Sequence, residues 1–200
     1  LQITPQQQRW QADAGVRLSP TGTRLADAVS VGNSPLQMPQ AVNLTLRSSG
    51  LGNSRADGHL RVGQGARIEL EPLGRLSLSA ATTLDMQGSA IAHGGSVSLA
   101  LTRGTVASEQ AYLQPTWLLL GGDSLIDVSG TAQFTPTTNG LRSGRVLAGG
   151  SVSVGSAGSM PSRIIWQDGG RIDVGGASAE LDITLREVGG LNTTRQTVNS

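Results

Sequence analysis

Five times along this chain an acidic residue sits between two large apolar side chains drawn from Val, Leu, Ile and Met: Ile68-Glu69-Leu70, Leu84-Asp85-Met86, Ile126-Asp127-Val128, Ile172-Asp173-Val174 and Leu181-Asp182-Ile183. All but the last follow another apolar-x-apolar triplet at an offset of eight, namely Leu60/Val62, Leu76/Leu78, Leu118/Leu120 and Ile164/Trp166. Self-similarity of this kind marks a repeat architecture and constrains the fold before any other feature does. Side chains alternate across a strand, so the outer residues of each triplet face one way and the acid faces the other. Three residues of strand cannot bury an apolar face alone, and many short strands must therefore stack on one another to share a core. Glycines punctuate the gaps at 63/65, 74, 88, 94–95, 121–122, 149–150, 169–170 and 175–176, where the path has to bend sharply.

The composition suits a narrow stacked core. Only five aromatic residues are present (Trp10, Tyr112, Trp117, Phe134 and Trp166) and 37% of the chain is hydrophobic. Aromatic rings supply much of the buried area in a compact enzyme or sandwich of this size, whereas a column of Val, Leu, Ile and Ala needs few. The 28 glycines are about twice ordinary usage, but they lie at bends and not in one tract. The net charge is +1, from 15 arginines without any lysine and 14 acids scattered among them. With no basic block, the pattern excludes a nucleic-acid footprint and a membrane-surface patch. The longest apolar run, Trp117 to Leu120, falls far short of the roughly 18 residues that span a bilayer. The absence of cysteine excludes a disulfide scaffold and thiolate zinc sites, and suits a long chain exported unfolded. Starting at Leu1, without Met or a charged-then-apolar leader, the chain reads as an excised or processed piece.

Along the chain, residues 1–40 do not follow the repeat. Prolines at 5, 20, 35 and 39 interrupt a polar stretch with one strand-like patch, Val16-Arg17-Leu18, which reads as an edge-wrapping segment or a tail. Residues 41–190 read as a shaft, with strands at 42–46, 60–62, 68–70, 76–78, 84–86, 97–101, 118–120, 126–128, 152–154, 164–166, 172–174 and 181–185. The steps from 60 to 84 and from 68 to about 91 predict a three-sided circuit of about 24 residues. Insertions at 102–116 and 131–145, and a loop over 51–58, should lie outside the shaft, with 191–200 as a tail or the start of the next coil. Gly149-Gly150-Ser151-Val152-Ser153-Val154 echoes Gly94-Gly95-Ser96-Val97-Ser98-Leu99. Helix is unsupported, because no window of a dozen residues keeps a 3.6 period free of Gly and Pro.

No set of side chains makes a catalytic, cofactor or metal site in this pattern. Glu69, Asp85, Asp127, Asp173 and Asp182 hold one repeat position and read as a solvated outer face that discourages strand slippage, not as paired glycosidase carboxylates. Asp123 and Asp127 flank one bend without a His or Lys to complete an acid–base set. His59 and His93 sit in two separate early bends and lack a third ligand. Ser129 has no histidine partner nearby in the pattern, so a hydrolase triad is not expected. The glycine pairs lack the spacing and following helix of a phosphate loop. Arg55-Ala56-Asp57-Gly58 resembles an Arg-Gly-Asp adhesion loop whose central glycine is replaced, and reads as a plain loop. Trp117 and Trp166, beside strands, read as core or end-packing residues ahead of sugar-stacking ones.

The segments Gly-Gly-Ser-Val-Ser-Leu (94–99), Leu-Leu-Leu-Gly-Gly-Asp-Ser-Leu-Ile-Asp-Val-Ser-Gly (118–130), Gly-Gly-Ser-Val-Ser-Val (149–154) and Gly-Gly-Arg-Ile-Asp-Val-Gly-Gly-Ala (169–177) resemble the filamentous haemagglutinin family. These are large adhesin-like exoproteins of Gram-negative bacteria exported by two-partner secretion. The resemblance covers about residues 60 to 190 and implies an all-β fold, a right-handed parallel β-helix (β-solenoid) with extra-helical loops. It further implies a non-enzymatic shaft segment without cofactors, secreted or held at the cell surface in association with the outer membrane. Its partners would be an outer-membrane transporter during export and a host-cell or bacterial surface receptor or glycan, with no nucleic acid and no stable membrane insertion. Two other classes share the pattern: a carbohydrate-active β-helix such as a polysaccharide lyase or phage tailspike, and an autotransporter passenger domain.

Overall fold

The computed structural model describes residues 2–3, 16–18, 24–27, 41–49, 58–102, 116–135, 137, 140–156, 163–187 and 190–200. Among them every regular element is a strand. The strands are β1 (Gln2–Ile3), β2 (Val16–Leu18), β3 (Arg24–Asp27), β4 (Asn43–Ser48), β5 (His59–Val62), β6 (Arg67–Glu69), β7 (Arg75–Ala80), β8 (Thr83–Met86), β9 (Ser89–Ile91) and β10 (Ser96–Leu101). They continue as β11 (Trp117–Leu120), β12 (Leu125–Asp127), β13 (Thr131–Thr135), β14 (Ser143–Leu147), β15 (Ser151–Ser156), β16 (Arg163–Trp166), β17 (Arg171–Asp173), β18 (Ser178–Glu187) and β19 (Gly190–Asn199).

Three parallel sheets carry the core. The first runs β4-β7-β10-β15, the second β1-β5-β8-β11-β16 and the third β6-β9-β12-β17. The chain visits the sheets in the order first, second, third and then returns, so each circuit adds one strand to each sheet. The expected step of 24 residues appears where Leu60 pairs with Leu84. The echo between 94–99 and 149–154 is a register as well, since Val97 lies beside Val152 and Leu99 beside Val154.

In-register pairing turns the apolar positions into columns. In the first sheet these are Leu44, Leu76, Val97, Val152 and Leu46, Leu78, Leu99, Val154. The second sheet contributes Leu60, Leu84, Leu118, Ile164 and Val62, Met86, Leu120, Trp166. Ile68, Ala90, Ile126 and Ile172 complete the third wall. Apart from Ile164 and Trp166, which are exposed, these residues meet in one hydrophobic cluster whose middle is fully sequestered from water. Each buried aliphatic side chain contributes about 1.5–3 kcal/mol.

The acids do not share a single column as expected. Glu69, Asp127 and Asp173 lie at one position of the third sheet, but the second circuit places Ile91 there. Asp85 belongs to the second sheet, beside Arg61 and Leu119. The reason is length. Only Ala81 and Thr82 separate β7 from β8, and only Gln87 and Gly88 separate β8 from β9, so in this circuit the offset of eight joins the first sheet to the second. In the other three circuits it joins the second sheet to the third. Asp182 lies outside all three sheets, in the antiparallel hairpin β18–β19.

The insertion expected over 131–145 is an ordered antiparallel hairpin, β13–β14, that extends to Leu147. The stretch expected to divide into shaft up to 190 and tail from 191 is likewise one hairpin, β18–β19. Both hairpins leave the stack after the third sheet, from consecutive circuits. Most of the insertion at 102–116, and the adhesion-like Arg55-Ala56-Asp57, lie outside the described residues. At the start of the chain, Gln2–Ile3 forms the outermost strand of the second sheet beside β5, and Val16–Leu18 pairs with β3.

Close approach of backbones explains one set of glycines. Gly74, Gly95 and Gly150 each precede a strand of the first sheet and stack on one another, with the Ser96 N–H donating to Gly74 O and the Ser151 N–H to Gly95 O, both at 3.0 Å. A Cβ on Gly95 would lie 2.0 Å from Gly74 O, and one on Gly150 would lie 1.9 Å from Gly95 O.

Candidate functional site

The richest polar arrangement lies where the chain leaves the third sheet for the hairpins. In the third circuit Asp127 ends β12, and its Oδ1 accepts from the Ser129 N–H at 2.9 Å and from the Ser129 hydroxyl at 2.6 Å. In the fourth circuit Asp173 ends β17, and its Oδ1 accepts from the Gly175 N–H at 3.1 Å. Both are Asp side chains closing a turn on the backbone two residues ahead, which fixes the angle at which each hairpin departs. The Gly175 N–H and then the Arg171 guanidinium hold the Asp173 carboxyl below the usual carboxylate range.

His93 stands in the corner one circuit earlier and comes against the same turn. Its Nδ1 lies 3.3 Å from Ser129 Oγ, 3.3 Å from Ser129 O and 3.8 Å from Asp127 Oδ1. The expectation that Ser129 has no histidine neighbour is therefore corrected, because stacking joins residues 36 apart. The three side chains are those of a hydrolase triad, but the connectivity differs. A triad uses one imidazole nitrogen for the serine and the other for the carboxylate. Here one nitrogen faces both, and the serine hydroxyl donates directly to the acid. The arrangement holds a turn and a hairpin root.

The remaining sequence candidates are dispersed. His59 opens β5 instead of lying in a bend, and its Nδ1 hydrogen-bonds Thr83 Oγ1 on the outer face of the second sheet. Asp123, in the corner between β11 and β12, accepts from Gln64 Nε2 at 2.6 Å and is not drawn to Asp127. That contact reaches across the shortened corner of the second circuit. Outer-face acids meet arginine, as in Arg67–Glu69 at 2.9 Å, Arg171–Asp173 at 2.8 Å and Arg61–Asp85 at 3.3 Å. The expected solvated acidic face is thus a set of guanidinium pairs, each worth little on an exposed surface. Trp117 is half-buried on the outer side of the second sheet. Trp166 occupies a core column at the end of the stack, with its indole N–H donating to Gly170 O at 3.1 Å. Among the described residues no three His, Asp or Glu side chains are grouped to hold a metal.

Sequence reasoning missed the junction between the two hairpins. The side chain of Asp182, on β18, is only 7% exposed; its carboxylate accepts from the Arg142 N–H at 2.7 Å and from Arg195 Nε and Nη2 at 2.8 and 3.1 Å. The Asp182 N–H returns a bond to Arg142 O at 2.9 Å. The Arg142 guanidinium lies 3.7 Å from Glu180 and 5.1 Å from the centre of the Phe134 ring. One carboxylate thereby clamps β18 to β19 and both to the first hairpin. An alternation of Leu181, Ile183 and Leu185 identical to that of the shaft hid this in the sequence.

The Arg195 guanidinium, and then the Arg142 N–H, lower the Asp182 carboxyl to about 2. Its folded value lies below the ordinary one near 4, so the stabilisation is complete above about pH 4 and disappears as the pH falls toward 2. Protection of the β18 and β19 amides, taken relative to the intrinsic exchange rate at each pH, should therefore fall over that window while that of β7 to β12 holds. Asp182→Asn should give low hairpin protection that no longer changes across it.

No family model, curated protein or solved structure matches this chain.

Proposed function

We propose that this chain is a segment of right-handed parallel β-helix, serving as the shaft of a large adhesin-like exoprotein that two-partner secretion delivers to the surface of a Gram-negative bacterium. The observation that carries this reading is the in-register stacking of strands from successive circuits over one aliphatic column. The right hand follows from the preference of parallel crossovers, of which about 98% are right-handed. A stack of this kind is stiff along its axis, and each circuit contacts only its neighbours. Circuits can then be added one at a time as the chain emerges from an outer-membrane transporter, and each addition hinders backward movement. The reading is non-enzymatic and without a cofactor, supported by the use of Ser129, His93 and Asp127 in holding a turn. The two hairpins project sideways and offer contact surface for a receptor or glycan while the columns maintain the rod.

Export tests this reading. Placed behind the secretion signal and recognition domain of a two-partner system, the chain should reach the medium only when the outer-membrane transporter is present. Release that does not depend on the transporter, or retention of a folded chain inside cells that contain it, would contradict the proposal.

A further inference from the structure

Three parallel pairings in the stack close over less chain than the rest. β5 with β8, β6 with β9 and β7 with β10 put one strand pair in each wall, and all six strands lie between His59 and Leu101. Within that stretch the corners are short, none longer than residues 70–74. Three of them close on themselves, with the Ala66 N–H donating to Gly63 O at 3.0 Å, the Gly74 N–H to Glu71 O at 2.9 Å and the Gly95 N–H to Ala92 O at 2.9 Å. Most of the buried aliphatic side chains among the described residues belong to it as well, and Leu60, Leu78, Leu84 and Leu99 are at most 1% exposed. The other pairings between circuits have more to close. β4 reaches β7 across residues 49–58, β8 and β9 reach β11 and β12 across 102–116, and each strand of the fourth circuit reaches the third across the hairpin β13–β14.

We infer that the stretch from His59 to Leu101 is the seed on which the stack folds, and that β4, β1 and the third and fourth circuits are added to it afterwards. Doubling the span to be closed lowers the chance that two strands meet by only about threefold. Length alone therefore favours these pairings modestly. The larger advantage is that the seed orders nothing except strands and short corners, whereas each later pairing must also close over an insertion or a hairpin, at a further cost in conformational entropy. The six strands share a single interface between circuits, so the seed is a starting structure and not a stable product. Neighbouring circuits then cover its two faces and complete the core. Growth thus starts inside the chain and proceeds in both directions, instead of running from one end to the other.

Refolding and unfolding rates of the intact chain test this, through the share of each variant's stability loss that appears in the refolding rate. Leu84 and Leu118 are neighbours in one core column, the first inside the seed and the second beyond it. Leu84→Ala should refold about tenfold more slowly or worse, with the smaller part of its loss in faster unfolding. Leu118→Ala should refold at close to the parent rate and unfold about tenfold faster or more. Leu46→Ala, in β4, should behave like Leu118→Ala, which separates an internal seed from folding that starts at the first circuit. If a leucine variant fails to fold, Val97→Ala and Val152→Ala make the same comparison in the first sheet with a smaller deletion. A larger share in the refolding rate for the seed variant of each pair supports the inference. Equal shares within a pair, or a larger share for Leu118→Ala, Val152→Ala or Leu46→Ala than for the seed variants, overturn it.

Discussion

Ile126→Asp is expected to lower the stability of the stack by about 3–5 kcal/mol. Ile126 is wholly buried between Ala90 and Ile172 on the third wall of the core. A carboxylate there would find apolar neighbours in every direction, and protonation would only replace a buried charge with a buried unpaired acid. One residue further along, Asp127→Asn should cost less than about 1 kcal/mol, because the amide oxygen can still accept from the Ser129 N–H and hydroxyl. Asp127→Ala leaves both donors without that acceptor and should cost about 1–2 kcal/mol. Thermal or urea unfolding of the three variants checks the order Asp at 126, then Ala at 127, then Asn at 127. Equal losses would mean that the inward and outward faces of β12 are misassigned.

Gly150→Ala should be as damaging, by about 3 kcal/mol or more, although it buries no polar atom and adds one methyl group. The new carbon would lie 1.9 Å from Gly95 O, and relieving that collision means separating β15 from β10 at the start of the first sheet. Five residues on, Gly155 has nothing within 4 Å of the same added carbon. Gly155→Ala should leave stability unchanged or slightly improved, since alanine has less backbone freedom to lose on folding. Loss of stability by both variants to the same extent would show that glycine at 150 serves flexibility and not close stacking.

The parallel stack was legible in the sequence, and its local register only in part. Alternation at Leu60/Val62, Leu118/Leu120 and Ile126 fixed which side chains turn inward, and the 24-residue step placed Leu60 beside Leu84. The acids misled because apolar-acid-apolar is a generic half-buried strand pattern. It does not reveal which wall a strand belongs to, and Asp85 and Asp182 carry it in other places. Corner length decides that question, and the two-residue corners around β8 displaced a whole circuit relative to the motif. The meeting of His93 with Asp127 and Ser129, and of Asp182 with Arg142 and Arg195, depends on contacts between residues far apart in the chain. No spacing rule reveals such contacts until the circuits are aligned.

The stacked column itself is open to direct measurement by methyl nuclear Overhauser contacts in selectively labelled protein. Stacking predicts contacts from Leu78 to Leu99 and from Leu99 to Val154, and from Leu84 to Leu118 and Leu118 to Ile164, so that each middle residue links the circuits on either side. Contacts confined to strands adjacent in sequence and running antiparallel, such as β7 against β8, would instead describe a meander and contradict the account.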